Sequence, residues 1–182
     1  MPWLPLKTDV LMWLLLPFFL FHNFEEIIML MPWMRKNNPL MHKSNARFAE
    51  KYKKIVAHYS TPSLATMGGL YSLLIIIPIL VTVELKLYSV YIGILIAYGF
   101  HLLIHFIEFA LIREYIPMIF TSFFSAAYVI VTLHDLAVTK PIDWVSAAIT
   151  AVIASAVYLF YIYFANLMSK FFENWLVKKF LA

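Results

Sequence analysis

Five stretches of this 182-residue chain, at approximately 9–31, 64–83, 88–112, 116–136 and 144–167, stay apolar for about 20 residues or more, the length a helix needs to cross about 30 Å of hydrocarbon. In hydrocarbon every backbone N–H and C=O must be satisfied within the segment, and these runs are too long for single strands, so they predict helices. The expected fold is all-α: a five-transmembrane-helix bundle filling the chain as one membrane domain, 1–182, with no room for a separate soluble domain. With 63% of residues hydrophobic and 13% charged, a soluble core of this size could not hide the apolar side chains. Residues 1–8 lead into a run longer than a signal-peptide core and are expected to stay as the approach to span one. Pro17 and Pro78 fall inside spans one and two, where a membrane helix accepts a kink.

Positive charge orients the bundle. Arg35, Lys36, Lys43, Arg47, Lys51, Lys53 and Lys54 crowd the loop between spans one and two, which makes that loop cytoplasmic. Arg113, Lys170, Lys178 and Lys179 fall on the same side, and only Lys7, Lys86 and Lys140 of the 14 basic residues fall on the other. The N-terminus is therefore expected outside and the C-terminus in the cytoplasm. Trp3 and Trp144 are expected at the outer interface, and Trp33 and Trp175 at the inner one. The net charge of +4 then reads as attraction to anionic membrane lipids, with no nucleic-acid partner. No Cys is present, which excludes disulfides, thiolate metal sites and cysteine nucleophiles.

Within residues 40–59, Phe48, Tyr52, Ile55, Val56 and Tyr59 recur at helical spacing, with Arg47, Lys51, Lys54 and His58 on another face. This predicts a basic amphipathic interfacial helix between the first and second spans. Residues 169–182, with Phe171, Phe172 and Trp175 among lysines, follow a similar pattern. Ala147, Ala151 and Ser155 in span five, and Met67-Gly68-Gly69 in span two, read as places where a neighbouring helix comes close.

Two spans carry an unusual load of titratable groups: His22, Glu25 and Glu26 in the first, and His101, His105 and Glu108 in the third. At about 100° per residue each set occupies one helical face. With both spans running in the same direction, His22 and His101 also fall at nearly the same depth. An ionised group at mid-span costs about 2.5 to 3.5 kcal/mol, and no Lys or Arg stands in the interior of any span to offset three carboxylates. Bound metal, protons or histidinium must supply the positive charge. Imidazole with carboxylate suits Zn, Fe or Mn. His22-x-x-Glu25 and His105-x-x-Glu108 reverse the Glu-x-x-His pairs of di-iron bundles, so the expected centre holds one or two ions. Its metal set is His22, Glu25, Glu26, His101, His105 and Glu108, with Glu26 bridging or acting as catalytic base. Tyr161 and Asn166, in the inner half of span five, are candidate substrate-lining residues, with Tyr163 beside them. His134 and Asp135 close span four on the opposite side, and His42 and His58 fall in the cytoplasmic loop.

The segment His22-Asn23-Phe24-Glu25-Glu26 resembles the motif of the HXXEE domain family, and its place in a first apolar span followed by a His-rich span resembles that family over most of the chain. The resemblance implies an integral membrane protein in which His22, Glu25 and Glu26 matter; it implies no reaction. The residues themselves point to a membrane metalloenzyme acting on a lipid-like or isoprenoid-like small molecule, by oxidation with iron or hydrolysis with zinc or manganese. A small metal-ion or proton carrier, which would need to oligomerise, and a structural polar cluster are the alternatives. The orientation is tested on a chain without cysteine background: in sealed vesicles, Lys43→Cys should react with an impermeant thiol reagent only from the cytoplasmic side, and Lys86→Cys only from the other. The reverse pattern would invert the topology.

Overall fold

The computed structural model describes residues 6–37 and 59–181. These form α1 (Thr8–Trp13), α2 (Leu15–Asn37), α3 (Thr61–Glu84), α4 (Tyr88–Ile112), α5 (Ile119–Thr139) and α6 (Trp144–Leu176), with a π-helical turn at Val177–Leu181. No strand occurs among the described residues. Helices α1 and α2 make one broken pass, and the resulting five passes are each long and apolar enough to cross a membrane. The chain is an all-helical, multi-pass membrane protein. Apart from Tyr59, the amphipathic segment expected at 40–59 lies outside the described residues, as do His42, His58 and Trp3.

Short connections force α3, α4, α5 and α6 to alternate in direction, and the Trp33–Tyr115 contact sets the end of α2 beside the turn between α4 and α5. One end of the bundle, here the basic end, gathers Arg35, Lys36, Arg113, Lys170, Lys178 and Lys179; the far end carries Lys7, Lys86 and Lys140. Local chemistry marks the helix starts. Ser60 caps α3 by accepting from the Ser63 N–H at 3.2 Å, while the Ser60 N–H donates to Ser63 Oγ at 2.8 Å, a reciprocal pair that satisfies two otherwise orphaned donors. Asp143 caps α6 by accepting from the Val145 N–H at 3.0 Å. The donors around it, led by the Ser146 hydroxyl, hold its carboxyl below the usual range.

The passes pack as a closed ring: α2 on α3, α3 on α6, α6 on α4, α4 on α5, and α5 back on α2. Across the middle, side chains of α2 and α4 meet directly, as Phe19 does Tyr98 with ring centroids 5.7 Å apart. Met12, Leu15, Ile79, Tyr91, Ile92 and Leu95 are fully buried in this core. Phe21, Phe24, Ile77, Phe120 and Phe160 point outward, as side chains facing lipid do. Trp33 lies at the basic end, the level expected for it, and is buried there, donating its indole N–H to the Tyr115 carbonyl at 2.5 Å.

The break between α1 and α2 has a sequence cause. Pro17 has no N–H for the Trp13 carbonyl, and its ring crowds that carbonyl, so the helix parts at Leu14. Neighbouring helices take up the carbonyls just before the break: Tyr128 donates to Leu11 O at 2.7 Å and Tyr91 to Met12 O at 2.9 Å. The two phenols also touch, oxygen to oxygen, at 2.8 Å. Kinked membrane helices persist because neighbours satisfy such groups.

Close approach without side chains decides the α4–α6 contact. A Cβ added to Gly93 would lie 2.5 Å from Thr150 Cβ and 2.6 Å from the Ala147 carbonyl oxygen. The small residues of span five therefore receive a glycine of span three. Gly68 faces the flexible end of Ile27, whereas nothing lies within 4 Å of a Cβ at Gly69. Gly93→Val should lower stability by about 1–3 kcal/mol through overpacking, read as an earlier thermal transition in detergent, while Gly69→Ala should be neutral or slightly stabilising. Equal effects at the two positions would refute this account of the α4–α6 contact.

Candidate metal centre

Helix α2 delivers His22, and α4 delivers His101 and, one turn on, His105. His101 Nε2 stands 3.2 Å from His22 Nε2 and 3.2 Å from His105 Nε2. One ligand atom from each of the three lies within 4.8 Å of the others. His22 is fully buried and His105 7% exposed. The equal depth read from the two spans is realised as direct contact between their imidazoles.

The other ring nitrogens are engaged from behind, and for His22 and His105 the carboxylates behind them fix the tautomer. Thr121 of α5 has one hydroxyl proton; its Oγ1 lies 2.6 Å from Glu25 Oε2 and 3.2 Å from His22 Nδ1. The carboxylate can only accept, so the threonine donates to it and receives from the His22 Nδ1–H. His105 Nδ1 donates to Glu108 Oε2 at 3.1 Å. His101 Nδ1 lies 3.3 Å from the Tyr158 hydroxyl of α6 and can donate there. This assignment, inferred from hydrogen-bond partners, leaves three Nε2 lone pairs converging on one point. Neutral imidazoles cannot satisfy such a meeting by themselves, because His101 Nε2 can share a proton with only one of its two neighbours. A cation resolves it. Three nitrogens bound tetrahedrally at about 2.0–2.1 Å would stand about 3.3 Å apart, close to the 3.2 Å contacts found.

The carboxylates divide. Glu108 supports His105, and Glu25 accepts from the Thr121 N–H at 2.8 Å and the Tyr115 hydroxyl at 2.8 Å, besides the Thr121 hydroxyl. Partial burial and the Glu25 carboxylate push the Tyr115 phenol up to about 12, so it keeps its proton and remains a donor. Glu26 is half-buried on the basic-end side of the histidines, within electrostatic reach of His105 and Glu108. Burial and the Glu26 carboxylate also raise the phenol of Tyr59, just before α3. The structure thus brings the three histidines together and places Glu25 and Glu108 behind them.

Beside the histidines lies a cavity of about 230 Å³, walled by Leu74, Pro78, Ile153, Val157 and other apolar side chains, with Tyr98, His101, Thr150 and Tyr158 as its polar members. Tyr161 and Asn166 are outside its wall: Tyr161 donates to Leu70 O at 3.1 Å, and Asn166 Nδ2 to the Tyr59 hydroxyl at 3.0 Å. His134 is exposed and Asp135 buried at the far end of α5. Sequence reasoning missed Thr121, Tyr115 and Tyr158. The available signal for Tyr158 was its place one turn before Tyr161; Thr121 and Tyr115 carried none.

A family model described as a protein of unknown function with an HXXEE motif matches residues 13–133. The chain belongs to the HXXEE family. The matched part holds the motif, all three histidines and Thr121, while Tyr158 and the rest of α6 lie beyond it. No curated protein and no solved structure matches the chain. In this HXXEE protein Thr121→Val would strip Glu25 and His22 of a shared partner. It should destabilise the fold by about 1–3 kcal/mol in detergent melting, with Thr121→Ser restoring most of the loss. An unchanged Thr121→Val melting transition would remove the threonine from the account.

Proposed function

We propose that this protein is a membrane-embedded metalloenzyme in which His22, His101 and His105 hold one divalent ion and an apolar, lipid-like substrate occupies the adjoining cavity. The observation that carries the reading is the convergence of three imidazole Nε2 atoms whose Nδ1 sides all face partners. Metal-ligating histidines depend on such outer hydrogen bonds for tautomer and orientation. Three imidazoles and an open fourth position favour zinc, with iron the main competitor. One ion fits better than two, since Glu25 and Glu108 are occupied in supporting Thr121 and His105.

When bound, the ion would polarise a substrate carbonyl or lower the pKa of a water, the chemistry of hydrolysis. The chain's own residues supply the remainder. Glu26 is the candidate general base, on the polar side of the histidines. Tyr158 orients His101 from the cavity side. The cavity's apolar wall receives the hydrocarbon and keeps bulk water from the reacting group. With its N-terminus outside, the site would lie in the cytoplasmic half of the bilayer, within reach of lipids of that leaflet.

Metal analysis of detergent-purified protein tests the proposal. About one zinc or iron per chain, retained through gel filtration, is expected in wild type, and His101→Ala should lose it. Glu26→Gln should keep the ion while abolishing new products in a lipid extract profiled by mass spectrometry. Protein that stays free of metal after growth and purification with supplied ions would refute the metal centre. Ion that washes out readily would favour a carrier instead.

A further inference from the structure

The inward face of α5 is polar from end to end. Ser122, Ser125, Tyr128, Thr132 and Asp135 recur every three or four residues and are all buried, none more than 6% exposed. Serine and threonine in membrane helices ordinarily return their proton to a carbonyl one turn back. Ser122 does so to Met118 O at 2.6 Å, as Thr139 does to Asp135 O at 2.7 Å and Ser72 to Gly68 O at 2.7 Å. Ser125 and Thr132 do not. Their hydroxyls, and that of Tyr98 across on α4, are buried without a hydrogen-bond partner. Each has another hydroxyl nearby, short of good hydrogen-bond geometry but close enough for a loose hydrogen bond: Tyr98 for Ser125 and Tyr128 for Thr132.

Together with the bonded Tyr128–Tyr91 pair and Asp135, these hydroxyls are consecutive stations on one line. It starts at Asp135 near the far end, passes Thr132 and the Tyr128–Tyr91 pair, and continues through Ser125 to Tyr98. The Tyr98 ring ends the line at the histidines, 6.3 Å from the His22 ring centroid and 6.2 Å from that of His101. Buried hydroxyls left without protein partners at such spacing are what ordered water bridges. Tyrosine, serine and water can each accept one proton while releasing another, so a line of them carries protons as well as water.

We propose that this stripe is a hydrated polar route through which the histidine centre exchanges water and protons with the far end of the bundle, the cavity between α3 and α6 being left to the apolar substrate. The role assigned to the route's inner end rests on the metal-centre reading; the route itself does not. A hydrolytic site enclosed by lipid needs a supply of water, which the apolar cavity does not offer.

Single cysteines in the cysteine-free chain test it, with Ag⁺, about the size of a water molecule, as probe. Intact protein in nanodiscs is treated with Ag⁺, then denatured, and the thiols left unblocked are counted by maleimide mass-tagging. Ser125→Cys and Thr132→Cys should be blocked on the order of tenfold faster than Ile130→Cys, which is 67% exposed on the lipid side of the same helix, because a thiol reacts as thiolate and ionises only where water reaches it. Lys86→Cys, in an exposed turn, sets the upper rate. Continuity is read from Ser125→Cys, which lies away from the cavity: adding the isosteric Thr132→Val should slow its block on the order of tenfold by removing a station. Ser125→Cys and Thr132→Cys as slow as Ile130→Cys would show a dry interior, and a Ser125→Cys rate indifferent to Thr132→Val would show that the stripe is not continuous from the far end. Either result overturns the proposal. Metal content measured on the same preparations separates the two readings, since blocked thiols in metal-free protein would sink the metal centre and leave the route standing.

Discussion

Three imidazole lone pairs aimed at one another inside a low-dielectric bundle are a source of repulsion that only positive charge relieves. Around them stand Glu25, Glu26 and Glu108, and no lysine or arginine occupies the interior of any span. The rest of the architecture serves this arrangement. Helix α5 contributes Thr121 to hold His22, α6 contributes Tyr158 to hold His101, and Glu108 holds His105 from within its own helix.

The surroundings of the triad are sorted by polarity. Toward the basic end lie Glu26, Tyr59 and Asn166; toward α3 and α6 lies an apolar cavity; and toward the far end runs the hydroxyl face of α5. On the proposed reading hydrocarbon would approach from one direction and protons from another, with Tyr98 bordering both paths. Such sorting is costly to build in a membrane, where every buried polar atom without a partner is destabilising, and this supports reading it as functional.

Much of this was legible in the sequence because the strongest signals are local. Runs of about 20 apolar residues define spans without reference to neighbours, and His101-x-x-x-His105 shares a face by helix geometry alone. That His22 would meet them followed from depth, since two spans running in the same direction align residues at equal distance from the interface. What could not be read depends on the order of helices around the ring. The partners of Glu25 could not be read, because Thr121 comes with α5 and Tyr115 with the turn before it. Ser125 and Thr132 were indistinguishable from back-bonded hydroxyls until their orientation was known. The amount by which Pro17 would disturb span one was hidden as well, because the carbonyls before the break are taken up by tyrosines about 80 and 117 residues further along the chain.

The distribution of the triad over the sequence also orders its assembly in time. A chain entering the membrane from its N-terminus brings His22 in with the first pass, but its companions arrive two passes later, and Thr121, which turns the His22 ring, arrives only with the fourth. Until then the first pass carries an unpaired histidine and two carboxylates in hydrocarbon, a poorly inserting segment that neighbouring passes must rescue. It follows that the three imidazoles can meet only in a nascent chain that has already threaded most of its length through the bilayer.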